Sequence, residues 1–406
     1  MANGELIPHL FRTEYRKIVS VLCKHFGFAQ MEIAEDIASD TFFTATQSWG
    51  LGAVPANPTA WLYSVAKNKA KNYLQRSNLF DTKIAPALQH GAETVTDIDL
   101  SPENIIDSQL QMMFTICHPS IPPEAQIGLS LRVLCGFGIQ EIAYAFLTNK
   151  ETINKRLFRG KEKLREEKIN IALPGPAEID ERLANVLTTI YLLFNEGYYS
   201  VSQNKTLRKD LCLEAMRLCI MLVENSSTNK PQVNALLALM CFHASRFEAR
   251  LDKNGEIILY EEQDTSLWNA ELVSRGGYFL HQATTGNRLT RYHLEAGIAY
   301  WNTQKEDTKE KWESILQLYN QLLQIQYSPI AALNRTYALS KANGKQTAII
   351  EAEKLNLVSN HFYFTLLGEL YKGIDAKRAR QHFTSALALA RSAADKQAIQ
   401  LKMDNL

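Results

Sequence analysis

The run Pro58-Thr59-Ala60-Trp61-Leu62-Tyr63-Ser64-Val65-Ala66-Lys67-Asn68-Lys69-Ala70-Lys71-Asn72-Tyr73-Leu74-Gln75-Arg76 reads as one helix with two unlike faces. At 3.6 residues per turn, Leu62, Val65, Ala66, Ala70, Tyr73 and Leu74 share an apolar side. Lys67, Asn68, Lys71, Asn72 and Gln75 share the other. Between Lys67 and Arg76 stand four basic residues and no acid. Such a face suits a phosphate backbone, and Trp61 and Tyr63, taken as exposed, suit stacking on bases lifted from a duplex. A solvated basic helix satisfies the composition equally well.

Upstream, Ala34-Glu35-Asp36-Ile37-Ala38-Ser39-Asp40-Thr41-Phe42 continues through Ala45 to Trp49. Asp36, Asp40, Thr44 and Gln47 fall at steps of four, four and three, so they line a polar stripe while Ile37, Phe42, Ala45 and Trp49 are free to be buried. An acidic stripe beside a basic helix suggests two different partners. Further back, Leu10, Phe11, Tyr15, Ile18, Val19, Leu22 and Phe26 keep helical spacing, so Leu6 to Arg76 is predicted to be one bundle, within a first domain of residues 1–78. Periodicity fails from Ser77 to Pro102, where Asp81, Thr94, Thr96, Asp97 and Asp99 gather. Residues 79–102 read as an acidic linker.

Helical pattern returns from Glu103 to Lys168, in a second domain of residues 103–172, with breaks at Pro119, Pro122, Pro123 and the Gly136-Phe137-Gly138 turn. Ile139 to Leu147, a turn, and a helix opened by Thr148 form a helix-turn-helix candidate, with Thr148 and Glu151 predicted as a capping box. Ile153, Leu157, Gly160 and Leu164 give the second helix its buried side; Lys150, Thr152, Asn154, Lys155 and Arg159 are left to point outward. From Lys150 to Lys168 eight basic residues face four acidic ones, whereas the whole chain of 406 residues is nearly neutral at +1. Net charge therefore neither supports nor excludes a nucleic-acid partner.

Leu173-Pro174-Gly175-Pro176 ends the second domain. Residues 173–406 are predicted to be helical apart from a two-stranded hairpin about Asn254-Gly255, between Ala249–Lys253 and Glu256–Tyr260. Phe364, Leu367, Gly368, Tyr371, Ala379, Phe383 and Ala386 fall near the tetratricopeptide pattern, and a weaker unit spans about Ser328 to Leu355; an ordinary helical bundle is the alternative. The fold class is all-α with that one hairpin.

Hydrophobic residues at 46% and charged residues at 21% describe a globular chain long enough for two or three domains. Cys23, Cys117, Cys135, Cys212, Cys219 and Cys241 show no metal-ligand spacing and read as buried thiols. Glu5, Pro8 and His9 occupy the place where a secretory signal needs a basic and then an apolar run. No stretch approaches the ~18 apolar residues of a membrane span, so a cytoplasmic protein without a membrane partner is expected. No nucleophile elbow, phosphate loop or metal cluster is visible, so neither an enzyme nor a cofactor is expected. Glu261-Glu262-Gln263-Asp264 with Arg250 is the most enzyme-like cluster and reads as a hydrogen-bonded hairpin surface.

Three ordered motifs carry a resemblance: Ala34-Glu35-Asp36 with Asp40-Thr41-Phe42; Ala60-Trp61-Leu62 with Ala66-Lys67-Asn68 and Ala70; and Glu141-Ile142-Ala143 with Thr152-Ile153, Arg156-Leu157 and Arg159. The chain resembles an extracytoplasmic-function sigma factor of the group with a long tetratricopeptide-like C-terminal extension. Ile190 to Tyr198, Ala249-Arg250 with Asp252 and Gly255, and Gln263-Asp264 with Trp268 extend the likeness over nearly the whole chain. Arg159-Gly160 stands where the family usually has Arg-Ala, which should loosen that helix by up to ~1 kcal/mol.

The resemblance implies a sigma region 2 bundle, a region 4 helix-turn-helix and the extension. It implies core RNA polymerase, through the clamp helices of its largest subunit and its flap, and promoter DNA as partners. Asp36, Asp40, Thr44 and Gln47 would meet the polymerase. Asn57, Trp61, Tyr63, Lys67, Asn68, Lys71, Asn72 and Arg76 would meet the minus-10 element, and Lys150, Thr152, Asn154, Lys155, Arg156 and Arg159 the minus-35 element. The extension is expected to regulate in cis, by occluding the DNA-binding domains or by receiving a regulatory protein. Two other classes remain open on the residues alone. One is a helix-turn-helix activator with a helical sensor, which has no need of Leu6 to Arg76; the other is an interaction scaffold without a nucleic-acid role.

Overall fold

A computed structural model describes residues 3–84, 98–199, 207–251, 258, 260–390 and 393–406. Among these there are eighteen α-helices, a few short 3-10 turns and no strand. The chain divides into two compact units, Met1–Thr228 and Asn229–Leu406.

The first unit begins with α1 (Asn3–Phe26), α2 (Met31–Leu51) and α3 (Pro58–Ile84). Ile18, Leu22, Met31, Ala34, Ala38, Leu62, Ala66 and Ala70 are buried between them, so small residues on α2 and α3 let the helices approach closely. Proline starts α3 where its missing N–H is no loss, and the Asn57 side chain accepts from the Ala60 N–H at 3.0 Å. The helix runs on past Arg76 to Ile84. Most of the expected linker, residues 85–97, lies outside the described residues. Its end is ordered by capping: the Asp99 carboxylate accepts from the Ser101 N–H at 2.8 Å, and Ser101 caps Asn104 at the start of α4 (Pro102–Ile116).

Three helices follow: α5 (Pro123–Val133), α6 (Ile139–Ala145) and α7 (Lys150–Glu166). The unit does not stop at residue 173. Helices α8 (Pro176–Tyr199) and α9 (Lys209–Glu224) belong to it, α8 lying on α5 and α4 and pairing with α9. Ile179, Leu183, Val186, Leu187, Ile190, Leu193 and Phe194 form the buried stripe of α8. Among them sits Arg182, 7% exposed, which donates to the Phe114 carbonyl at 3.1 Å and pairs with Glu178. Asn185 donates to Gln126 on α5 at 2.8 Å. A buried guanidinium is tolerated because these partners compensate its lost hydration.

The second unit is α10 (Pro231–Ala244), α11 (Ala270–Ala283), α12 (Arg291–Trp301), α13 (Lys309–Ile325), α14 (Pro329–Asn343), α15 (Lys345–Leu355), α16 (His361–Tyr371), α17 (Ala376–Leu389) and α18 (Ala393–Asp404). Helix α10 is apolar nearly all round and buried accordingly. Leu367, Tyr371, Ala379, Phe383 and Ala386 are buried, and Gly368 lies against the Phe383 ring. The hairpin expected about Asn254-Gly255 is not seen. Residues 252–257 and 259 lie outside the described residues; beside them the Ile258 N–H donates to the Arg250 carbonyl at 2.8 Å.

Candidate nucleic-acid and polymerase interface

The start of α3 differs from its sequence reading in one respect: Trp61 and Tyr63 are half-buried. The Tyr63 hydroxyl donates to Glu14 of α1 at 2.5 Å, and Lys17 holds the same carboxylate at 3.0 and 3.1 Å. Glu14 is 7% exposed and requires donors, which α3 supplies. Burial and the neighbouring carboxylate hold the Tyr63 phenol proton far above its ordinary range. Tyr63 is thus tied to α1 through its hydroxyl. The Trp61 ring lies 5.2 Å from that of Trp49 at the end of α2, tilted by 59°. Asn57 is exposed, but its oxygen is used as the cap of α3.

Further along α3, Asn68, Lys71, Asn72, Gln75 and Arg76 are exposed on one side, with Lys67 half-buried beside them. Lys69 reaches Asp40 on α2 at 3.8 Å. On α2 itself Asp36, Asp40 and Gln47 are exposed and Thr44 is partly so, its hydroxyl donating to the Asp40 carbonyl at 2.7 Å. Phe43, absent from the sequence reading, stands within the same stripe at 61% exposure. Its helical position was the available signal, since it lies three residues after Asp40 and four before Gln47.

Helices α6 and α7 are joined by a turn in which Leu147 has φ of 50° and the Thr148 N–H donates to the Ala143 carbonyl at 2.9 Å. The cap of α7 is Asn149, whose side chain accepts from the Thr152 N–H at 2.8 Å; the capping box expected of Thr148 and Glu151 does not form. Thr148 is drawn back toward α6 by its own N–H, one residue too early to cap. Glu141 caps α6 instead, accepting from the Gly138 N–H at 2.6 Å.

Lys150, Asn154, Lys155 and Arg159 are exposed on α7. Thr152 is half-buried, and so is Arg156, whose guanidinium lies 5.3 Å over the Phe146 ring. Phe158, also absent from the sequence reading, is 67% exposed between Lys155 and Arg159. Gly160 has a packing reason. A Cβ there would sit 3.0 Å from Leu129 and 3.4 Å from Ala125, so its absence lets α7 seat closely on α5.

Polar contacts close these helices into one body. The Arg16 guanidinium of α1 donates to the carbonyls of Arg132 and Val133 at 2.8 and 3.1 Å, at the negative end of α5. Lys24 of α1 pairs with Asp107 of α4 at 2.6 Å. On α7, Lys161 and Arg165 reach Glu35 and Glu32 of α2 at 3.7 and 3.4 Å. Arg208, just before α9, pairs with Glu141 of α6 at 2.9 Å, and Asp210 stands 4.0 Å from Arg12 of α1.

Other chemistry is not assembled. Among the described residues no group of His, Cys, Asp and Glu can hold a metal ion, and no helix is long and apolar enough to cross a membrane. The six cysteines are thiols rather than disulfides, and burial pushes the Cys117 and Cys241 thiols up to about 12. In the cluster near Arg250, Asp264 accepts from the Ser266 N–H and hydroxyl at 2.9 and 2.7 Å, and Gln263 donates to the Ile258 carbonyl at 3.2 Å. These bonds shape the backbone of a turn.

Residues 10–79 match the family described as Sigma-70 region 2, and residues 182–284 match a family of unknown function, DUF6596. An uncharacterised protein of Rhizobium meliloti is 32% identical over 392 residues, 93% of this chain and 91% of that protein. The ECF RNA polymerase sigma-E factor of Haemophilus influenzae is 28% identical over 140 residues, 33% of this chain and 73% of the relative. The RNA polymerase sigma-H factor of Pseudomonas aeruginosa is 24% identical over 151 residues, 36% and 77% respectively. No solved structure matches.

Proposed function

We infer, from the premise that this chain belongs to the extracytoplasmic-function sigma factors and carries a C-terminal extension, that it binds core RNA polymerase and directs it to promoters in transcription initiation. Sigma factors are not an enzyme family, and the polymerase performs the chemistry. The observation that carries the finer reading is the pair of outward polar faces on adjacent helices, acidic on α2 and basic on α3.

Asp36, Asp40, Thr44 and Gln47 dock on the clamp helices of the largest polymerase subunit. Asn68, Lys71, Asn72 and Arg76, with Lys67 beside them, follow the phosphates of the minus-10 element. Trp61, rather than the tethered Tyr63, stacks on an unpaired base near Asn57. Separating DNA costs a few kcal/mol per unstacked step, and binding the freed strand offsets it. On α7, a region 4 recognition helix in this reading, Lys150, Asn154, Lys155 and Arg159 meet the minus-35 element, with Thr152 and Arg156 at its margin. The flap is the second docking point on the polymerase. The second unit is a tetratricopeptide-like surface for a regulatory protein.

The closed first unit cannot read both elements at once. Two elements about 25 base pairs apart are separated by ~85 Å of duplex at ~3.4 Å per step. Here α7 is within ion-pair distance of α2. Initiation therefore requires α7 to leave α2, and the extension acts in cis by opposing this. Its helices α8 and α9 lie on α4 and α5, and Asp210 of α9, 4.0 Å from Arg12 of α1, ties that module to the α1–α3 bundle. Transcription by core polymerase supplemented with the full chain tests the reading. Promoter-dependent initiation is expected, and its absence with every candidate promoter refutes it.

A further inference from the structure

We propose that Phe43 is the apolar anchor of the polymerase-binding stripe on α2, seated in an apolar socket rimmed by basic residues on core RNA polymerase. The inference rests on the docking role given above to Asp36, Asp40 and Gln47. At about 100° per residue, Asp36, Asp40, Phe43 and Gln47 fall within about 60° of one another on α2. Ala34, Ile37, Ala38, Thr41 and Ala45 occupy the opposite side and are buried. Phe43 thus projects directly away from the core, where an amphipathic helix ordinarily carries a polar residue.

Neighbouring aromatics show that the bundle does not need it. Phe42, the preceding residue, turns inward at 4% exposure and meets Phe11 at 5.1 Å and Tyr15 at 6.2 Å. Phe43 stands at 61% exposure one turn after Asp40, whose side chain is 72% exposed, and one turn before Gln47. A large apolar ring set in a polar, partly acidic stripe has the anatomy of a binding hot spot: a central anchor that is desolvated on contact, inside a polar rim that steers and orients. The acids fix the sign of the partner. The ring fixes its shape, which must include a recess deep enough for an aromatic side chain.

The test measures the affinity of the full chain for core RNA polymerase across a range of salt, with three variants and their melting curves. Phe43→Ala is expected to weaken binding by about 30-fold at every salt concentration while leaving the melting temperature and the salt slope unchanged. Phe43→Leu should recover most of the loss. Asp36→Asn with Asp40→Asn should instead slow association and flatten the salt dependence. If Phe43→Ala binds like the wild type while the double aspartate variant is weakened, the anchor is refuted and the docking reading stands. If neither variant differs from a wild-type chain that binds, or the wild type itself does not bind, the docking reading fails and the anchor with it. Self-association abolished by Phe43→Ala, with polymerase affinity intact, would reassign the ring to contact between copies and overturn the proposal.

Discussion

Gly276 and Gly277 are neighbours on α11, yet their substitution by alanine should have opposite signs. A Cβ on Gly276 would lie 2.6 Å from the Phe242 ring, whereas one on Gly277 meets nothing within 4 Å. Gly276→Ala should cost about 1–3 kcal/mol through overpacking, and Gly277→Ala should gain up to ~1 kcal/mol of helix propensity. Denaturant unfolding of the two variants checks both. The same logic revises the meaning of Gly160. From sequence it weakens a helix; in the structure it is the notch into which Leu129 fits. Spacing gave the buried side of α7 correctly because periodicity reports which residues face inward. It was silent about Tyr63, whose partner Glu14 lies 49 residues away on another helix. A tyrosine looks free until the buried acid that claims it is located.

At the scale of helices, α7 carries the sharpest expectation. Lys155→Ala with Arg159→Ala should weaken duplex binding and reduce the magnitude of the salt slope by about 2, one counterion for each lost phosphate contact. An unaltered slope would remove both from the interface. On α3, Trp61→Ala should leave duplex binding nearly intact and impair strand opening, read by reactivity of unpaired thymines, with stacking worth about 1–3 kcal/mol. Because its ring rests near Trp49, a melting curve must accompany the assay. Helical character was legible along the chain, and prolines or Asn, Ser and Asp caps mark several helix starts, but α3 runs past Arg76 to Ile84, into the expected linker. The cap of α7 was displaced by one residue, to Asn149, because the turn before it doubles back on α6.

For the molecule as a whole, composition and periodicity could not reveal which helices fold together. Pro174 and Pro176 look like a domain boundary, yet α8 continues the first unit, with Met113, Leu134, Val186, Ile190 and Leu218 converging there. Residues 1–228 should therefore melt cooperatively, while residues 1–176 should lose their cooperative transition, each stranded apolar side chain costing ~1.5–3 kcal/mol. Calorimetry of the two fragments decides this. The second unit should respond to acid. Burial, with Arg246 and Arg250 nearby, pushes the His243 imidazole down to about 3. An unfolded histidine titrates near pH 6.5, so below that value and down to about 3 the unfolded state binds more protons. Its contribution to stability is complete above about pH 6.5 and falls as pH falls through that window. His243→Gln should flatten the dependence in denaturant titrations at pH 7 and pH 4.

The two kinds of contact that close the first unit answer differently to ionic strength. Arg16 holds neutral carbonyls, whereas Lys161 and Arg165 hold carboxylates that are partly solvated. Counterions shield the second kind far more than the first. Brine would therefore free one edge of the body before the other, and α7 would swing out about a pivot at Arg16 like a door on its pin.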